Sequence, residues 1–355
     1  MPQQQDRLDG LARAVNQLKT LLIFILIFML IIPVFLFYEE DIYRLVEQEL
    51  NTRRLPIATR DNTIEEIFWS APAIDNIEEL NLRAQVSYGK ELIAHTSRYL
   101  GPKGMVMQIS NGMNCQNCHL DAGTKTFGNN YSAVASTYPK FRARSGAQED
   151  IYKRVNDCFE RSLNGKPLDT LSKEMQAIKA YITFLGSEVT KGEKPKGSGL
   201  KEMAFLDRAA DPIKGKMVYD AKCVTCHMPE GQGQKIPDGT EYLYPPLWGA
   251  ASYNDGAGLY RLSNFARYAR YNMPQGVSHT NPMLTDEEAW DVAAYVNSQS
   301  RPHLVVTSDW PDVTKKPVDH PFGPYSDTFT EHQHKYGPFK PIVEAQKISS
   351  TTVMK

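Results

Sequence analysis

The chain has 355 residues, and its 40 basic and 41 acidic side chains leave a formal net charge of −1. That length admits two domains of ordinary size with additional segments, and the balanced charge supplies no global field for nucleic acid, which excludes a nucleic-acid partner. Five cysteines are too few for a disulfide scaffold, and four of them fall into two Cys-x-x-Cys-His strings, which leaves Cys158 to explain.

In chain order, the first feature is an apolar run from Leu21 to Phe37, broken only by Pro33. At ~1.5 Å per residue it nearly crosses a ~30 Å hydrocarbon core. Arg7, Arg13 and Lys19 precede it, and Glu39, Glu40 and Asp41 follow it. The positive-inside bias then predicts a cytoplasmic N-terminus (1–20), a single-pass inner-membrane anchor (21–38) and a body in the periplasm. A cleaved signal peptide is the alternative, but the run ends without the small residues of a cut site. Residues 39–59 read as a polar helical stalk closed by Pro56.

Residues 60–186 read as one unit and 201–300 as a second, joined by a linker (187–200) in which Gly192, Pro195, Gly197, Ser198 and Gly199 stand among lysines. The units repeat one another weakly in the same order. In the first, Tyr88-Gly89-Lys90 opens a helical stretch and Ser172 to Leu185 ends with Ala180-Tyr181-Ile182; in the second, Lys214-Gly215-Lys216 and Ala294-Tyr295-Val296 take those places. A glycine in the first helix and an aromatic in the last let two helices cross closely. Thr285 with Glu288 forms a capping box at the start of the last helix. The expected fold is mainly α, two cytochrome c-like domains in tandem after a transmembrane helix. An extended tail (301–355), rich in Pro, His and aromatics, is expected to pack over both domains.

In Cys-x-x-Cys-His, two thiols add to the vinyl groups of a haem and the adjacent histidine binds its iron. Cys115, Cys118 and His119 form one such site, and Cys223, Cys226 and His227 the other. No second cysteine pair lies near either, as a zinc site would require. Two covalently bound haem c groups are therefore predicted. Met273, in Tyr271-Asn272-Met273-Pro274, is the preferred sixth ligand of the second haem, with Met283 and His279 as alternatives. The first domain has no such Met-Pro, and Cys158 occupies the corresponding place. Ser145-Gly146-Ala147-Gln148 reads as a capping box opening a helix that Asn164-Gly165 closes, so Arg154, Cys158 and Ser162 fall on one stripe at i, i+4 and i+8. A buried free cysteine is commonly a small hydrophobe, but a guanidinium one turn away favours thiolate and points to a ligating or reactive sulfur. Arg142 and Arg144 precede this helix; Arg144 is a candidate oxyanion donor, whereas Arg142 reads as a solvated surface residue.

The segment Arg154-Val155-Asn156-Asp157-Cys158-Phe159-Glu160-Arg161-Ser162-Leu163-Asn164-Gly165 resembles the signature of the thiosulfate dehydrogenase family of dihaem cytochromes. Lys315 to Tyr325 and Gln333 to Phe339 resemble that family's C-terminal segments, and the likeness runs from about residue 60 to 343. It implies coupling of two thiosulfates to tetrathionate, or the reverse reduction, with His119/Cys158 and His227/Met273 as the two ligand pairs. It also implies that Arg144, Arg154 and Ser162 line the substrate pocket, and that a periplasmic c-type cytochrome or a membrane respiratory complex is the electron partner. Where some members carry a lysine beside the distal methionine, this chain has Asn272. The competing reading is a membrane-tethered dihaem electron relay with no substrate of its own; a third is an enzyme that conjugates thiosulfate to a carrier protein.

Overall fold

The computed structural model describes residues 16–29 and 67–353. Residues 16–29 are helical. Among the described residues no helix is long and apolar enough to cross a membrane. The expected anchor at 21–38, and the inner-membrane placement that rested on it, are corrected accordingly; residues 30–38 and the expected stalk lie outside the described residues.

From Ile67 onward the chain forms one compact unit. Its principal helices are α1 (Leu80–Ala94), α2 (Ile151–Arg161), α3 (Lys173–Leu185), α4 (Pro212–Lys222), α5 (Leu262–Asn272), α6 (Asp286–Ser298), α7 (Glu331–Tyr336) and α8 (Lys340–Val353). Two short antiparallel hairpins accompany them, β1 (Lys140–Arg142) with β2 (Ala147–Glu149) and β3 (Gln234–Lys235) with β4 (Tyr242–Tyr244). Side-chain oxygens satisfy the orphan N–H groups that begin α1 (Glu79), α2 (Asp150), α3 (Ser172), α4 (Asp211) and α6 (Thr285). Thr285 and Glu288 form the expected capping box. The capping box expected at Ser145 does not form. Arg142 pairs with Ala147 across the hairpin, which commits that segment to a turn and a strand, and Asp150 caps α2 instead.

Each half is built on a glycine-centred helix crossing. A Cβ at Gly89 on α1 would stand 2.0 Å from the Ala177 carbonyl oxygen and 2.7 Å from Tyr181 Cβ on α3; one at Gly215 on α4 would stand 1.8 Å from the Asp291 oxygen and 2.9 Å from Tyr295 Cβ on α6. Around the first crossing Val86, Leu92, Met175, Ile178 and Tyr181 are buried. Tyr219, Trp290, Val292, Ala293 and Val296 are buried around the second.

The linker and tail are both fastened down. Phe127 and Asn129 N–H groups donate to the Gly197 and Gly199 carbonyls, each at 2.8 Å, so a polar segment that cannot bury apolar surface is held by backbone pairing. The tail runs irregularly at first and then, contrary to an extended course, coils into α7 and α8, where Phe339 and Ile342 join the second core. Ahead of these helices Asp319, 1% exposed, receives Arg261 Nε at 2.9 Å and the Ser263 N–H at 3.0 Å. The halves meet at Glu241, whose buried carboxylate pairs with His95 and Arg98, both at 3.1 Å, and accepts from Asn114 at 3.3 Å.

Gly89→Ala and Gly215→Ala should each destabilise the protein by about 1–3 kcal/mol through overpacking, whereas at an exposed helix position the same change would stabilise by up to about 1 kcal/mol; denaturant melts decide the sign. Burial raises the Asp319 carboxyl, but the Arg261 charge and the Ser263 hydrogen bonds outweigh it and hold it below its ordinary value of 3.8. A depressed carboxyl contributes stability that is whole above the unfolded value and is lost as pH falls through the folded one. Asp319→Asn should therefore cost about 3 kcal/mol near neutrality and flatten the acid limb of a stability profile below about pH 4.

Candidate functional site

The second Cys-x-x-Cys-His lies where α4 ends, and its histidine is fixed by the chain beyond it. His227 Nδ1–H donates to the Pro245 carbonyl at 2.9 Å, which leaves Nε2 as the free donor nitrogen. Cys223, Cys226, His227 and Met273 line one cavity of about 670 Å³, walled by Leu247, Phe265 and Val292 among others. Burial pushes the Cys223 thiol up to about 12. Of the alternatives to Met273, Met283 is 58% exposed, and the His279 ring packs between Phe68 and Phe127; neither lines the cavity. An apolar space of this size, with two thiols, a tautomer-fixed imidazole and a thioether on its walls, fits a covalently held haem.

The first motif follows the same plan with different neighbours. His119 Nδ1–H donates to the Asn129 carbonyl at 2.5 Å, and its ring stacks on Tyr131 with centroids 4.4 Å apart. Burial lowers the imidazole to about 4, keeping it neutral. Gly123, at φ +83°, admits Tyr131: a Cβ there would lie 2.0 Å from its ring. Burial pushes the Cys115 and Cys118 thiols up to about 12, and the charge of Cys158 adds to this in both. That coupling draws Cys158, some 40 residues on in α2, to the same motif. A neutral imidazole and a third sulfur gathered about two thiols fit a second haem with nitrogen and sulfur donors.

Arg154 is held charged well above its ordinary range, first by Cys158 and against the effect of burial. Ser162 caps the same helix one turn past Cys158, its N–H donating to the Cys158 carbonyl. The structure thus gathers Arg154, Cys158 and Ser162 on α2. Arg144 lies in the β1–β2 turn, where the charges of Arg154 and Arg142 bear on it. Its side chain, 16% exposed, lies 3.9 Å from Asp309, donates to the Gly256 carbonyl at 3.4 Å and sits 5.8 Å from the Trp310 ring. Burial, then the nearby Arg161 charge, lowers it to about 10. Arg142, expected to be a solvated surface residue, lies 3.8 Å from the buried Glu149.

Several residues of this neighbourhood escaped sequence reasoning. Asn129 and Pro245 orient the two histidines through carbonyl oxygens, which no side-chain pattern reports. Asp309 binds Arg161 through two 2.9 Å bonds across 148 positions of chain, and the Trp310 N–H donates to the Arg144 carbonyl at 2.6 Å. Arg161 stood within the signature segment and was the one available hint.

Residues 106–190 match the SoxA/TsdA cytochrome c domain, and residues 213–300 match the cytochrome c family. The chain is 35% identical over 244 residues to a thiosulfate dehydrogenase of Psychrobacter arcticus, covering 68% of this chain and 71% of that one. It is 36% identical over 218 residues to that of Allochromatium vinosum, covering 60% and 79% respectively. Among solved structures it resembles the thiosulfate dehydrogenase TsdBA from Marichromatium purpuratum, with a TM-score of 0.61 and 30% identity over 66% of this chain, and spans half of that longer chain. With two cytochrome c domains, each holding its own Cys-x-x-Cys-His, the chain carries covalently bound c-type haems. It belongs to the thiosulfate dehydrogenase family of dihaem c-type cytochromes.

Proposed function

We propose that this protein oxidises thiosulfate, coupling two S₂O₃²⁻ to one S₄O₆²⁻ with release of two electrons. The observation that carries this reading is the Arg154–Cys158 pair beside the first haem motif, in a neighbourhood rich in guanidinium groups. Two dianions repel one another, and a desolvated site magnifies that repulsion unless cations offset it. Arg154, Arg142 and Arg144 are the groups that supply the offset here. An electron relay without a substrate would have no use for them.

Cys115, Cys118, His119 and the Cys158 sulfur would hold the first haem, and Cys223, Cys226, His227 and Met273 the second. When bound, the haems supply one-electron acceptors and pass the charge to an external acceptor, for which a small c-type cytochrome is the natural class. Cys158 does the sulfur chemistry. Its thiolate bonds the terminal sulfur of one thiosulfate, giving Cys–S–S–SO₃⁻ as two electrons leave. The terminal sulfur of a second thiosulfate then attacks the sulfur attached to Sγ. The Sγ–S bond breaks, tetrathionate departs and the thiolate returns. Arg154 binds the sulfonate oxygens, while the Ser162 hydroxyl provides a neutral donor one turn away.

Cys158→Gly should remove turnover with artificial acceptors while mass spectrometry still finds both haems attached; a fully active variant would end the role of this sulfur. Arg154→Ala should lower kcat/KM for thiosulfate about 10²- to 10³-fold, with partial recovery in Arg154→Lys, and an unchanged value would refute the cation argument. For the second haem, Met273→Gly should abolish the methionine-sulfur-to-iron absorption band. A retained band would move the ligand to another residue such as Met283.

A further inference from the structure

One buried acid in the cationic site has no part in the chemistry above. Glu149 ends β2 opposite Lys140 and directly precedes Asp150, the cap of the cysteine helix. It is 3% exposed, its Oε2 stands 3.8 Å from Arg142 Nε, and that oxygen makes no hydrogen bond. A carboxylate buried for structural reasons is ordinarily satisfied by donors; this one is held by surrounding positive charge. Its own charge reaches Lys140 and Arg154 as well as Arg142.

We propose that Glu149 is a specificity-determining carboxylate that lowers the positive charge met by a bound sulfur oxyanion, and so allows tetrathionate to leave. The inference rests on the thiosulfate-coupling reading. Lys140, opposite Glu149 in the hairpin, and Arg142, 3.8 Å from its Oε2, are the cations that Glu149 offsets directly, and its charge also reaches Arg154, one turn before Cys158. With a neutral residue at 149 that offset is lost, and every dianion, the product included, is retained more tightly.

The test is tetrathionate binding to the oxidised holoprotein by titration calorimetry, paired with tetrathionate inhibition of thiosulfate oxidation, at low and high salt. Glu149→Gln should bind tetrathionate about tenfold more tightly at low salt, with stronger product inhibition and a difference that shrinks as salt screens it. Glu149→Asp, which keeps the charge, should restore the parent affinity. Equal or weaker binding by Glu149→Gln, with parent-like haem spectra, overturns the proposal. Should that variant fail to fold, Lys140→Gln removes the opposite charge from the paired position and should weaken tetrathionate binding by a similar factor; unchanged affinity there overturns the proposal equally. A parent protein that neither binds nor turns over these anions defeats the functional reading itself, whereas an active parent with unresponsive variants defeats only the role of Glu149.

Discussion

Where α1 crosses α3 and α4 crosses α6, the backbones approach until a carbonyl oxygen occupies the space a Cβ would take on Gly89 or Gly215. The close approach fixes more than two helix pairs. From the first crossing Tyr181 reaches out to donate its hydroxyl to the Ala122 carbonyl at 3.0 Å, and from the second Tyr219 donates to the Met228 carbonyl at 2.6 Å. Each carbonyl lies just beyond a haem-motif histidine. Crossing, tyrosine and histidine thus form one rigid chain of contacts in both halves, and a loosened crossing would free the segment that carries the iron ligand.

The halves are locked together by polar groups that single sequence positions do not advertise. Tyr268 donates to the Asn117 carbonyl at 2.6 Å, inside the first haem motif, and Asn272 donates to the Phe127 carbonyl at 3.1 Å, two residues before the carbonyl that orients His119. Residues of the first motif, Asn117 and Cys118, accordingly line the same cavity as His227 and Met273. Haems held by the two motifs would therefore share a cavity wall, and the Tyr268 and Asn272 contacts tie the two motifs together.

Cation placement separates the two domains chemically. The second motif is surrounded by apolar walls and a thioether, an environment suited to passing electrons on. Around the first, guanidinium groups meet a sulfur, and two acids, Glu149 and Asp309, moderate them. The tail contributes to this directly, since Asp309 and Trp310 hold Arg161 and Arg144 from a segment that follows both domains.

The sequence by itself determined what is covalent or local. Haem attachment follows from strings of five residues, the stripe of Arg154, Cys158 and Ser162 from helical spacing, and the crossings from a glycine and an aromatic set at repeated intervals, because each of these depends on neighbours in the chain. It misled where a local rule met a competing interaction: the Ser145 capping signal lost to hairpin pairing. Only tertiary structure decided which acid restrains Arg161 and which carbonyl fixes each histidine. Those choices join residues far apart in the chain, through charges and carbonyl oxygens whose partners folding alone brings within reach.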